Sequence, residues 1–219
     1  MDLQLLEYLQ TFLTPRRIAL FKEVMAHRTR HFTVVTEDLY QMHNASAVLR
    51  SCDVFGIQDL HVVQERFGKR MDREIAMGAQ KWVTVHRHKS TSECIAKLRK
   101  DGYKIVATTP HSDSQLLPDF NVQSKSALFF GTEKAGLSPQ VMEQADEFLK
   151  IPMYGFTESL NISVSAAIIL QQVVTKMKRE VTGWELSEVE KQELEMHWTR
   201  QSIKRIDDIL ERYYKEKNL

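Results

Sequence analysis

A chain of 219 residues, 42% hydrophobic and 27% charged, can bury one sizeable globular core, and a net charge of +1 excludes a uniformly basic nucleic-acid-binding surface. Two cysteines, Cys52 and Cys94, supply neither a disulfide framework nor metal-ligand spacing and are expected as buried thiols. The first ten residues hold Asp2 and Glu7 with no Lys or Arg, and no apolar run approaches the ~20 residues of a membrane span, so a soluble cytoplasmic protein is expected, with no signal peptide and no membrane partner.

The charge is unevenly spread. Residues 14–32 carry Arg16, Arg17, Lys22, Arg28 and Arg30 against Glu23 alone, with His27 and His31 besides. Residues 1–31 read as a basic helical arm whose arginines are either phosphate contacts or a solvated helix face. HFTVVTEDL (31–39) is a β-branched run and reads as a strand. A helix follows, with Asn44 expected at its N-cap and Gly56 at its end. Ala45, Val48, Leu49 and Cys52 recur at helical spacing and form its core face; at about 100° per residue, Arg50 points roughly 145° away from them. LHVV (60–63) and KWVTVH (81–86) read as strands, separated by a polar stretch expected as a loop with a short helix. Residues 91–100 read as a helix ended by Gly102, YKIVATT (103–109) and ALFFG (127–131) as strands, SPQVMEQA as a helix and EFLKIP (147–152) as a sixth strand. A long helix runs from about Ser159 to Glu180, and after Thr182–Gly183 a last amphipathic helix spans 187–217.

Strands alternating with helices predict an α/β protein with a largely parallel sheet flanked by helices. We read one domain over 1–219, with residues 32–180 as its core. In such sheets ligands sit beyond the carboxyl ends of the strands. Three loops fall there: ATTPHSD, GTEKAGLS and IPMYGFTESLN. The second has the G-x-x-x-x-G spacing of a phosphate loop, but Leu137 and Ser138 stand where Lys and Ser or Thr belong, which argues against nucleotide triphosphate hydrolysis. Its glycines either let the backbone approach a ligand or turn the chain into the helix at Ser138–Pro139. The long helix carries Ile162, Ala166, Ile169 and Val173 on one stripe and Ser163, Ala167, Leu170 and Val174 on the next. So wide an apolar face is buried on two sides, either as a central core helix or against a second subunit.

HNASAVLRSCD, LFFGTEKAGLS and IPMYGFTESLNISVSAA occur in this order and resemble the three signature motifs of the SpoU–TrmH branch of the SPOUT methyltransferases. The resemblance covers nearly the whole chain, including the basic arm, the GAQKWV segment and the C-terminal helix. It implies a trefoil-knotted α/β fold, a homodimer, and S-adenosylmethionine bound in the knot. The implied reaction is methyl transfer to a ribose 2′-hydroxyl of RNA, with tRNA, at its D-loop, as the expected substrate. Ribosomal RNA is the alternative within the class, and a non-catalytic RNA-binding dimer the alternative outside it. By the same resemblance Thr108, Thr109, Pro110, Gly131, Ile151, Met153 and Leu160 line the cofactor pocket. Asn44, Arg50, Glu133, Ser159 and Asn161 are the polar residues around the reacting ribose, and Arg16, Arg17, Arg28 and Arg30 are candidates for RNA binding. The donor is already activated, so no metal is expected. Two departures stand out: Gln41–Met42 where the family often has Lys-Pro, and Thr157–Glu158 where it often has Val-Gln. Glu158 adds negative charge near an RNA site. Arg50 is the residue usually credited with catalysis, but a guanidinium stays protonated in proteins; it suits the role of a fork gripping an oxyanion and a phosphate.

Overall fold

The computed structural model describes residues 2–38, 42–64, 78–110, 114–132 and 135–217. In chain order the elements are α1 (Leu3–Gln10), α2 (Pro15–Met25), β1 (Phe32–Glu37), α3 (Met42–Phe55), β2 (Asp59–Val63), β3 (Thr84–His88), α4 (Thr91–Lys100) and β4 (Lys104–Thr108). They continue with β5 (Gln115–Leu116), β6 (Ser126–Phe130), α5 (Pro139–Gln144), β7 (Glu147–Lys150), α6 (Ile162–Glu180), α7 (Glu188–Ser202) and α8 (Ile206–Glu216). The chain divides into two units: Thr29–Trp184, and a helical unit joining Met1–Arg28 to Glu185–Leu219.

The larger unit is built on a seven-stranded sheet in the order β3-β2-β1-β6-β4-β7-β5, and every strand pairing in it is parallel. Alternation along the strands sends side chains to two cores. Phe32, Val34, Leu60, Val62, Val106, Leu128 and Phe130 pack on one face under Ala45, Val48, Leu49 and Cys52 of α3 and Ile162, Ala166, Ile169 and Val173 of α6. Val35, Val63, Ile105, Ala107, Ala127 and Phe129 pack on the other face under Cys94, Ile95 and Leu98 of α4 and Val141 of α5. Both cysteines are free and buried, as expected. Burial pushes the Cys94 thiol up to about 12.

Several boundaries differ from the sequence reading. α3 starts at Met42, so Asn44 is its third residue and not its N-cap. Lys81 belongs to a 3₁₀ turn, where the Trp82 N–H reaches the Ala79 carbonyl at 2.9 Å, and β3 begins only at Thr84. The two-residue strand β5 was too short to carry a periodic signal. Residues 65–77, where a loop with a short helix was expected, lie outside the described residues.

The helical unit corrects the reading of one helix over 187–217. The chain leaves α7 at Ile203 in an extended conformation and turns at Arg205, φ +55°, before α8. The apolar stripe explains the break. Leu194 and Trp198 of α7 would be continued in a straight helix by Gln201, Ser202 and Arg205, all polar. The apolar residues are instead Ile203, Ile206, Ile209 and Leu210, and the break brings them against Leu5, Leu9 and Tyr213. Ser187 and Glu190 close a capping box at the start of α7.

Candidate active site

At the carboxyl ends of β4, β6 and β7, three loops surround a cavity of about 510 Å³. Thr108, Thr109 and Pro110 come from the end of β4, Gly131 from the end of β6, and Ile151, Met153, Ser159 and Leu160 from the loop after β7. All seven residues expected around a cofactor therefore line one space. Thr108 Oγ1 donates to the Phe129 carbonyl at 2.6 Å and the Thr109 N–H donates to the Leu149 carbonyl at 3.0 Å, which fastens the first loop to the strands on both sides of β4. The second loop folds back on itself: Thr132 and Gly136 exchange backbone hydrogen bonds of 2.9 and 3.0 Å. A Cβ on Gly131 would lie 2.2 Å from the Gly136 carbonyl carbon and oxygen, so only glycine fits there. Gly136 itself turns with φ +65°.

The walls combine Leu149, Ile151, Leu160 and Ile162 with backbone groups and a few hydroxyls. Such a lining suits a flat heterocycle and aliphatic carbons held by a small number of placed polar contacts. Lys134 and Glu133 lie outside the described residues, so the expected role of Glu133 has no placement here. A second hollow of about 420 Å³ adjoins the first and shares Lys150, Met153 and Glu158 with it. Tyr154 and Phe156, on the same loop, are fully exposed.

Of the other polar residues expected at the ribose, Ser159 lines the cavity, while Asn44 and Asn161 stand beside it as a pair. Asn161 caps α6, accepting from the Ser163 N–H at 2.8 Å, and its Nδ2 donates to Asn44 Oδ1 at 3.2 Å. Asn44 is buried in this contact. Arg50 is exposed, as its helical phase predicted, and it does not line the cavity. Six residues along a helix separate it from Asn44 by about 9 Å and turn it roughly 120° to another face.

The four arginines assigned to RNA binding separate into two classes. Arg16 and Arg17 are exposed on α2. Arg28 is 1% exposed, its guanidinium 5.4 Å from the centroid of the buried Trp198 ring. Arg30 is half-buried and tied by Nε to Asp59 Oδ2 at 2.8 Å. Burial would raise the Asp59 carboxyl, but hydrogen bonds and charge from His86 and Arg30 hold it below the usual range. Arg28 is thus a packing residue and is withdrawn from the expected phosphate contacts, and Arg30 is committed to an ion pair.

One cluster escaped the sequence reading because its members come from β2, β3 and α4. His61, His88 and Cys94 bring ligand-type atoms within 4.8 Å of one another. His61 Nδ1 and His88 Nε2 are hydrogen-bonded at 2.9 Å, and burial with the charges of His86 and His88 lowers His61 to about 3. The two imidazoles are thus each other's hydrogen-bond partners beside the buried Cys94 thiol.

A model of the SpoU rRNA Methylase family matches residues 31–171. Over 196 residues the chain is 36% identical to the tRNA (guanosine(18)-2′-O)-methyltransferase of Borreliella burgdorferi, covering 90% of this chain and 90% of that protein. The structure is similar to that of the TrmH/SpoU tRNA modifying enzyme of A. aeolicus, with a TM-score of 0.75 and 29% identity over 86% of this chain and 98% of the other. It also shares its fold with the SpoU methyltransferase AviRb of Streptomyces viridochromogenes, solved in complex with AdoMet, at a TM-score of 0.61 and 24% identity over 72% and 64% of the two chains.

Proposed function

The chain belongs to the SpoU rRNA methylase family, and on that premise we propose the reaction its cavity serves. The protein is an S-adenosylmethionine-dependent methyltransferase that acts on a ribose 2′-hydroxyl of tRNA, and guanosine 18 of the D-loop is the nucleotide we assign to it. One observation carries the reading: the loops that follow three different strands meet at a single strand-end cavity with a glycine where no side chain fits. The apolar walls and the backbone groups at Thr108, Thr109, Pro110, Gly131, Ile151, Met153 and Leu160 fit a nucleoside with a methionine tail. S-adenosylmethionine, when bound, supplies a methyl group activated on a sulfonium.

The chain's own residues supply position and charge. Ser159 on the cavity wall and the Asn44–Asn161 pair, which is tied to the start of α6, orient the ribose beside the cavity. Arg50 stays protonated; because it is turned away from its own chain's cavity, it acts across the dimer, where its planar fork grips a phosphate of the bound RNA and stabilises the 2′-oxygen as negative charge develops there. The proton leaves to a phosphate oxygen or water, because a guanidinium has no place for it. Glu133 orients partners of the reacting group. Arg16 and Arg17 are the RNA contacts of the N-terminal arm, joined to a core over 32–180. No metal enters this chemistry.

The knotted threading, a homodimer and a cytoplasmic location belong to the same proposal. α6 supports the dimer in an altered form. Leu170 and Val174, expected at a second buried stripe, are already covered within the chain, whereas Val164 and Ile168 of the helix, and Leu160 just before it, remain exposed. Among the described residues no helix is long and apolar enough to cross a membrane. The test is to incubate the protein with S-adenosylmethionine and unmodified tRNA or ribosomal RNA and to map ribose methylation by mass spectrometry. Methylation at guanosine 18 is expected; methyl groups found only in ribosomal RNA would overturn the substrate, and none in either would overturn the activity. Sedimentation at micromolar concentration should show a dimer.

A further inference from the structure

We infer that Glu37 is a positioning residue for the cofactor cavity: its buried carboxylate anchors the outgoing end of the Gly131–Leu137 loop. The inference rests on the cofactor reading above. Glu37 ends β1 and is 3% exposed. In the parallel register of β1 and β6 the last pair is Thr36 with Phe130, so Glu37 stands level with Gly131. Glu37 Oε2 accepts the Ser138 N–H at 2.8 Å and Oε1 accepts the Ser138 hydroxyl at 2.7 Å. Oε1 also accepts the Thr91 hydroxyl at 2.5 Å. A buried carboxylate is costly unless donors surround it, and here both oxygens are satisfied.

The two donors of Ser138 matter most. Ser138 is the N-cap of α5 and the first residue after the loop, which lines the cavity through Gly131, Thr132, Ala135, Gly136 and Leu137. Among the described residues the loop is held within itself, by the Thr132–Gly136 backbone pair and the Ala135 N–H on Thr132 Oγ1 at 3.0 Å, and at its exit by Glu37. The Thr91 bond fastens the same carboxylate to the start of α4, which does not line the cavity. One side chain thus has a cavity-side arm and a scaffold-side arm, and these can be cut separately. Glutamine keeps one acceptor oxygen and loses the charge that strengthens all three bonds.

Calorimetry with S-adenosylmethionine and with its demethylated product, S-adenosylhomocysteine, on the full chain separates the outcomes. Glu37→Gln and Ser138→Ala should each weaken both by about tenfold, the equivalent of one charge-assisted hydrogen bond. Thr91→Val, cut on the scaffold side, should lower the melting temperature and leave both affinities at the wild-type value. Without any cofactor, the Thr132 and Gly136 amides should exchange hydrogen faster in Glu37→Gln than in Thr91→Val. Wild-type affinity in Glu37→Gln and Ser138→Ala overturns the inference, and so does an equal loss in Thr91→Val, which would make Glu37 a general stabiliser. A wild-type protein that binds neither compound overturns the cofactor reading itself, and the inference falls with it.

Discussion

The sheet unit and the helical unit hold their chemistry in different materials. In the sheet unit the cavity is shaped by backbone: a glycine pressed against another glycine's carbonyl, a reciprocal pair of amide bonds, and threonines that bond to strand carbonyls. In the helical unit the exposed charge stands on long cationic side chains of α2, while Arg28 has been drawn inside. Backbone shape tolerates almost no added atom, whereas an exposed arginine can be changed with little effect on its neighbours. The lesson is that substitution should divide the two units sharply: loss of shape and fold in one, loss of charge and contact in the other.

The severest break is expected at Gly131. Gly131→Ala places a methyl 2.2 Å from the Gly136 carbonyl and must displace the whole loop. Cofactor binding should vanish in calorimetry, with about 3 kcal/mol or more of stability lost in denaturant melts. A Gly131→Ala protein with wild-type affinity would show that the cavity is pliable and the contrast false. Arg50→Ala comes next, because Arg50 lies in the sheet unit yet resembles the helical unit in being exposed charge. Single-turnover methyl transfer should fall on the order of 10²- to 10³-fold with an unchanged melting temperature. Arg50→Lys should restore RNA binding and little of the rate, since lysine lacks the planar fork; near-normal turnover would reduce Arg50 to a point charge.

Acid should act chiefly on the sheet unit. Burial first, then the charges of His86 and His88, lower His61 from 6.5 to about 3, and burial lowers His88 in the same direction. Protonation therefore favours the unfolded chain. The stability that depends on a neutral His61 is whole above about pH 6.5 and drains away as pH falls toward 3. Melting temperature should drop through that window, and His61→Asn should drop less steeply; parallel curves would remove His61 as the cause. Within the helical unit, Arg28→Ala should cost about 2 kcal/mol by urea denaturation through its lost packing on Trp198. The smallest effect on the fold, none in a melt, is expected for Arg16→Ala with Arg17→Ala. That protein should bind tRNA more weakly with a flatter salt dependence, by about 0.7 in slope per lost single-strand phosphate contact. An unchanged slope would return these arginines to plain solvation.

What could be read from the residues follows the same division. Most of the strands and α4 were legible because β-branched runs and a 3.6-residue period are local signals, whereas the two-residue β5 carries none. The three strand-end loops were legible from the alternation of strands and helices, whereas the individual cavity residues came from the resemblance, since no local pattern says that β4, β6 and β7 end together. Asn44 looked like a cap because it precedes an apolar stripe, but the helix had already begun at Met42. Arg28 and Arg16 are alike in sequence; only the tertiary position of Trp198, 170 residues along the chain from Arg28, makes one of them interior. Glu37, His61 and His88 were invisible for the same reason. Their partners lie on other elements, and a lone Glu or His in a strand carries no sign of them.

The division of the chain has a consequence for its synthesis. α1 and α2 leave the ribosome before the sheet unit, but the residues that complete their unit begin at Glu185, after the whole of it. At about 5–20 residues per second, roughly 10–30 s pass in which Leu5, Leu9 and Phe21 have no partners to cover them. Throughout that interval the nascent chain carries a sticky, uncovered segment. Chaperone capture, rather than spontaneous docking, is the expected fate of its first helices until translation has delivered α7 and α8.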